Sequence, residues 1–280
     1  VYDSNGVLKV LPKKDYKHSR PVNKDCYKFI IKNRAKHFFK RSSNKDLRIN
    51  PKFGVSIITS TIRKNSMHNI FTNYKNQLYN HKELIVILNK NNMNKDKWIE
   101  ESRPYKNIRI FKLDEKKSLG ECLNYAVSKA KFNYITKFDD DNYYGPSFIP
   151  HLMKDFKITN ADIVGKLSYY VFFADSNILA INFPRHENKY VDIVSGSALI
   201  FPKRIFNFIQ YPHINLGEDT YFLKKCIENN LKLYSSDRFN YVCIRQSNLN
   251  FHTWKISQKS LLQNCNIVKF TNGFKKYVDI

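Results

Sequence analysis

The sequence predicts an α/β protein: a mostly parallel central sheet flanked by helices, followed by a mixed second half. Three observations predict it. Residues 53–138 alternate short β-branched runs with amphipathic helical stretches, the pattern of repeated βα units. One of those helices carries a start signal and an unbroken apolar stripe. The last strand of the series runs straight into Asp139-Asp140-Asp141, and in an open parallel sheet ligands bind beyond the carboxyl ends of the strands.

Taken in order, residues 1–50 are polar and basic, with a helix expected from Lys24 to Lys40. Its apolar positions Tyr27, Ile30, Ile31, Ala35 and Phe38 share one face. Arg41–Pro51 reads as a linker. Strands are expected at Val55–Thr59, Glu83–Asn89, Asn107–Leu113 and Asn133–Phe138, and helices at Asn69–Tyr79 and Lys97–Ser102. The clearest helix follows Ser118, whose side chain and Glu121 form a capping box. Leu119, Cys122, Leu123, Ala126, Val127 and Ala130 then make one stripe. Beyond Pro146, Phe148–Phe156 looks helical. Ile163–Phe173, Ile178–Phe183 and Tyr190–Phe201 look strand-rich. Glu218–Asn230 is helical again, Leu231–Ser235 and Asn240–Arg245 are strands, and the tail from Ser257 to Phe270 is expected to be a helix. The division is a basic extension (1–50), a main domain (51–256) and a helical tail (257–280).

Composition narrows the function. With 280 residues the chain can bury a large core, and only 8 Gly and 9 Pro exclude collagen-like or linker-rich architectures. The apolar runs are strand-sized, well short of the roughly 20 residues of a membrane-spanning helix. The five cysteines are odd in number and widely spaced, with no CxxC. They read as reduced core thiols of a reducing compartment, not as a disulfide frame or zinc site. The expected location is therefore cytoplasmic, or peripheral at the inner face of a membrane. The net charge of +24 suits an anionic membrane surface or polymer. No nucleic-acid-binding motif accompanies it, so nucleic acid is not an expected partner.

Two acidic clusters carry the chemistry. Three adjacent carboxylates at a strand's end repel one another unless a hard cation neutralises them. Mg²⁺ or Mn²⁺ held by one or two carboxylates plus substrate phosphates answers that need. Gly217-Glu218-Asp219 opens an amphipathic helix. There it is either a helix-dipole complement or the seat of a general base that deprotonates an acceptor hydroxyl.

The ordered set Val55–Thr61, Glu83–Ile87, Leu119-Gly120 with Asn124, Tyr134–Asp141, Ser195-Gly196-Ser197 and Gly217-Glu218-Asp219 resembles the family 2 glycosyltransferases, which have the GT-A fold with its Rossmann-like sheet. The resemblance runs from about Phe53 to His252. It implies an inverting transfer of a sugar from a nucleoside-diphosphate sugar to an acceptor hydroxyl, in synthesis of a surface polysaccharide, glycolipid or glycoprotein. Asp139 and Asp141 are similar to the family's DxD. Asp141 would hold the metal, and Asp139 would contact the ribose or donor sugar, directly or through that metal. Asp219 looks like the catalytic base, with Glu218 beside it. Ser60, Thr61, Arg63, Asn89, Gly120, Asn124 and Asp140 are the implied donor-side residues. Gly196 and Ser197 belong to the acceptor side.

The chain departs from the family pattern at two places. Ser60-Thr61-Ile62 stands where Pro-Thr-Tyr is usual, and Leu88-Asn89-Lys90-Asn91 where Asp-Asp-Gly-Ser is usual. An Asn at 89 can accept or donate, so the base is uracil or cytosine on this reading. A UDP-sugar is favoured over CDP- or GDP-sugars. His252 is a candidate further metal ligand, Trp254 a stacking surface, and Arg245 a diphosphate partner. Lys137 reads as structural. The alternatives are a nucleotidyltransferase, against which the missing Gly in Ser60–Lys64 counts, and a non-catalytic scaffold of the same fold.

Overall fold

The structure, a computed structural model, describes residues 53–248 and 252–280. The expected basic extension and its helix lie outside the described residues. The first half holds β1 (Val55–Thr61), α1 (Met67–Asn76), β2 (Lys82–Leu88), α2 (Lys95–Ser102), β3 (Ile108–Lys112), α3 (Leu119–Lys129) and β4 (Tyr134–Lys137). The second half holds β5 (Tyr143–Tyr144), α4 (Phe148–Ile158), β6 (Ile163–Gly165), β7 (Tyr169–Phe173), β8 (Ile178–Asn182), β9 (Lys189–Val191), β10 (Leu199–Pro202), α5 (Glu218–Glu228), β11 (Leu233–Ser235), β12 (Tyr241–Arg245), α6 (Gln258–Leu262), β13 (Cys265–Phe270) and α7 (Lys275–Val278).

Two sheets organise these elements. The larger has the order β3-β2-β1-β4-β10-β6-β11-β9. β3, β2, β1 and β4 run parallel, and β10 enters antiparallel between β4 and β6. Strand alternation sends Ile57, Leu84, Val86 and Leu88 to one face, against Ile70, Phe71 and Tyr74 of α1, Trp98 of α2 and Phe148 of α4. Ile58, Ile85 and Ile87 go to the other face, against Cys122, Leu123 and Ala126 of α3 and Phe222 and Leu223 of α5. Coverage on both faces explains why β1 and β2 are near-continuous apolar runs rather than alternating ones. The capping box of α3 forms as expected: the Glu121 amide donates to Ser118 Oγ at 3.3 Å and the Ser118 amide to Glu121 Oε2 at 2.9 Å.

The chain leaves β1 toward β2 and β3 on one side and returns to β4 on the other. This is the reversal of direction at which open sheets form a crevice. The carboxyl ends of β1 and β4 therefore flank one opening. The second sheet, β13-β8-β7-β12-β5, has its own core of Tyr143, Tyr170, Phe172, Leu179 and Val242, closed by Val278 of α7.

The expected helix over 257–270 is corrected. Helix α6 ends at Leu262, and Cys265–Phe270 is a strand antiparallel to β8. The run Ile267-Val268 suits a strand, and the open edge of β8 supplies the backbone partners that the isolated periodicity could not reveal. No helix among the described residues is long and apolar enough to cross a membrane. The described cysteines, 122, 226, 243 and 265, are free thiols.

Candidate active site

The end of β1 and the turn after β4 meet first through Asp140. Thr61 Oγ1 donates to Asp140 Oδ2 at 2.5 Å, and the Arg63 guanidinium pairs with Asp140 Oδ1. Arg63 also lies 3.3 Å from Asp141 Oδ2. Burial pushes the Asp140 carboxyl up to about 6, against the pull of Arg63. The turn's backbone is held from α1: Asn69 Nδ2 donates to the carbonyls of Asp140 and Asn142, and Asn73 Nδ2 to that of Asn142.

Asp139 belongs to a different set of contacts. Its amide donates to the Tyr144 hydroxyl at 2.8 Å, which in turn donates to the Ser197 carbonyl at 2.7 Å. Asn142 Nδ2 lies 3.5 Å from Asp139 Oδ2 and donates to the Tyr241 hydroxyl at 3.1 Å, which pairs with Ser197 Oγ at 2.6 Å. The Ser195-Gly196-Ser197 loop is thus tied to the aspartate turn through two buried tyrosines.

The same loop meets the second acidic cluster. Gly196 has no room for a β-carbon because the Asp219 carboxylate occupies that place. Asp219 Oδ1 accepts from the Thr220 amide at 2.6 Å, so Oδ2 is the oxygen turned toward the loop. Glu218 is buried. Its Oε1 accepts from Lys137 Nζ at 3.0 Å, and the same ammonium stands 3.3 Å from Asp139 Oδ1. Burial raises the Glu218 carboxyl despite Lys137, and likewise raises that of Asp139. Burial alone would lower the Lys137 ammonium, but Asp139, Glu218 and Asp219 together hold it well above its ordinary value.

Asn89 is buried just beyond β2, and its Nδ2 donates to the Asp114 carbonyl at 2.8 Å. That bond orients the amide and leaves Oδ1 as the acceptor. Ser60 pairs with the Cys122 thiol. Gly120 and Asn124 have other partners. Asn124 exchanges two hydrogen bonds with the Tyr211 main chain, at 2.9 and 3.0 Å. Gly120 packs on the Pro212 carbonyl and donates to that of Ile214. Both bind α3 to the loop that precedes Gly217.

His252 accepts the Gln246 amide on Nε2 at 2.9 Å, and its Nδ1 is 3.6 Å from Asp141 Oδ2. A lone pair used on Nε2 puts the ring proton on Nδ1, so His252 faces Asp141 as a donor. It could ligate a metal through Nδ1 only after releasing Gln246. Arg245 is buried, donates to the carbonyls of Trp254 and Ile256, and lies over the Trp254 ring. It anchors the segment that carries His252. Among the described residues no group of three or more His, Cys, Asp or Glu side chains could hold an ion unaided. Asp141 is half-exposed with His252 nearby; so few protein groups would suit a hard cation only if phosphate oxygens and water supplied its other ligands.

Sequence reasoning missed Lys137, Tyr144, Tyr241 and Asn142 as members of this assembly. Asn142 and Tyr144 stood beside the aspartate triplet and could have been suspected. Lys137 reads as structural in the sequence although it precedes Asp139 by two, and nothing local marked Tyr241.

Residues 56–201 match the family model described as Glycosyl transferase family 2. No curated protein matches the sequence. Among solved structures, S. aureus TarS 1-349 in complex with UDP-GlcNAc superposes with a TM-score of 0.56 at 15% identity, covering 69% of this chain and 58% of that one. The mannosyltransferase PcManGT from Pyrobaculum calidifontis, in complex with GDP-Man and Mn²⁺, gives 0.56 at 14% identity, covering 81% and 66%. The chain thus spans less than two thirds of the length of either.

Proposed function

The chain belongs to glycosyl transferase family 2, and on that premise we propose that it transfers a sugar from a nucleoside-diphosphate sugar to an acceptor hydroxyl with inversion. The observation that supports this most directly is the closed run of contacts Asp139–Lys137–Glu218, Asp219–Gly196 and Ser197–Tyr144–Asp139. It supports the reading because it joins Asp139, the candidate donor-side acid, and Asp219, the candidate base, in one connected set of contacts.

On this reading Asp219 takes the proton of the acceptor hydroxyl through Oδ2. The acceptor oxygen bonds to the anomeric carbon as the bond to the diphosphate breaks, and the nucleoside diphosphate leaves with the electron pair. A divalent metal, Mn²⁺ or Mg²⁺, would be held by Asp141 with His252 nearby and would supply charge stabilisation to the leaving diphosphate. Arg63, fixed by Asp140, adds positive charge beside Asp141. Asn89 Oδ1 accepts from the N–H of a base such as uracil. The +24 charge supports an anionic setting for the acceptor, such as a membrane surface or a charged polymer.

The test is calorimetric titration of UDP, GDP and CDP, each with Mn²⁺ and with EDTA, on the wild type and on Asp141→Ala. Metal-dependent binding of one nucleotide, lost in Asp141→Ala, is expected. Failure of all three to bind with Mn²⁺ would leave a non-catalytic scaffold as the better reading.

A further inference from the structure

Helix α5 begins in an unusual way for a helix that carries a catalytic base. Its N-cap is Gly217 in the left-handed region (φ 80°), which has no side chain to cap the helix, and the first-turn amide of Thr220 is met by Asp219 Oδ1 instead. No atom lies within 4 Å of where a Gly217 side chain would begin, so neither capping nor packing at that residue fixes the start of the helix. A strand residue 81 positions earlier ties the first turn to the sheet: Lys137 Nζ donates to Glu218 Oε1 at 3.0 Å, with both side chains buried, 7% and 5% exposed. Lys137 precedes Asp139 by two in an extended segment, so the two side chains leave the same face, and the ammonium also stands 3.3 Å from Asp139 Oδ1.

We infer that Lys137 is a positioning residue for the transfer reaction: acting through Glu218, it locks the first turn of α5 and so places the Asp219 carboxylate relative to Asp139. This rests on the functional reading above. A buried ammonium between two carboxylates is held in place by both, because displacing it would leave uncompensated charge in a low-dielectric interior. Glu218 and Asp219 are consecutive, so a fixed Glu218 backbone leaves Asp219 little freedom. Gly196 closes the remaining side. On this reading Lys137 acts through Glu218 and Asp139 rather than on the reacting atoms. Its contribution is to alignment, where an error of about 1 Å costs on the order of a hundredfold in rate.

The experiment is a double-mutant cycle on the full chain with Lys137→Met, Glu218→Gln and the double variant. Mn²⁺-supported hydrolysis of UDP-GlcNAc, UDP-glucose and GDP-mannose is followed, together with thermal midpoints. Lys137→Met is expected to lower kcat about a hundredfold with KM changed less than threefold. The double variant is expected to be no slower than the slower single one while recovering part of the lost thermal midpoint. Losses that multiply in the double variant would overturn the inference, as would a rate loss that disappears once corrected for the folded fraction. A wild type that hydrolyses none of the three donors and binds neither UDP nor GDP would fail the functional reading itself, and the role of Lys137 with it. An active wild type with independent losses would refute the role of Lys137 alone.

Discussion

The Asp219 carboxylate lies directly on the main chain of Gly196, in the space that the β-carbon of any other residue would fill. Gly196→Ala should therefore displace the carboxylate while leaving the fold intact. Kcat is expected to fall about a hundredfold, the scale of a 1 Å misplacement, with a stability loss of about 1–3 kcal/mol from overpacking. Steady-state kinetics beside circular dichroism checks both. An unchanged kcat would show that Asp219 does not work from this position.

Asn89 spends an amide hydrogen on the Asp114 carbonyl and keeps Oδ1 as an acceptor. Uracil and guanine present an N–H to such an acceptor, whereas the cytosine ring nitrogen presents a lone pair. UDP or GDP should bind more tightly than CDP. Asn89→Ala should weaken that nucleotide by about fivefold, since a hydrogen bond contributes about 1 kcal/mol. Titration calorimetry decides it, and CDP as the tightest ligand would reverse the assigned amide orientation.

Lys166 is fully buried and donates to the Asp237 carbonyl and to Oδ1, while His151 faces Oδ2 at 3.4 Å. Burial alone would raise the Asp237 carboxyl, but His151 and Lys166 hold it well below its ordinary range. A depressed carboxylate contributes stability that is present above its unfolded value, about 3.9, and lost as the pH falls toward the folded one. Asp237→Asn should thus cost about 3–5 kcal/mol at pH 7, the scale of a broken buried pair. Denaturant melts should show the gap between wild type and variant closing below about pH 4.

Burial pushes the Cys122 thiol up to about 11, and those of Cys226, Cys243 and Cys265 up to about 12. Thiolate is the reactive form, so these four should resist iodoacetamide at pH 8 in the native chain and react in denaturant. Peptide mass spectrometry reads this directly. Rapid native alkylation of Cys122 would contradict its burial on the face of α3 that packs against the sheet.

Much of the fold was legible because its signals are local. The capping box at Ser118 and Glu121, the stripe from Leu119 to Ala130 and the buried runs of β1 and β2 each lie within about a dozen residues, the range over which periodicity speaks. The tail was misread for the converse reason. Cys265–Phe270 is a strand only because β8 offers it an edge. The carboxylates of the candidate site were legible by their placement after β4 and in the first turn of α5. The uses of Gly120 and Asn124 were not, because the loop at 211–214 that they hold is about 90 residues away along the chain.

What the sequence determined by itself was the succession of strands and helices ahead of the tail and the identity of the acids at their ends. Propensity, capping and hydrophobic alternation are properties of neighbouring residues. Only the tertiary structure decided which groups face one another: Lys137 with Glu218, Gly196 with Asp219, Tyr144 with both Asp139 and Ser197. Those pairings depend on β10 entering beside β4 and on the register of that pair, and strand order and register are set by the packing of the whole sheet rather than by any stretch of sequence within it.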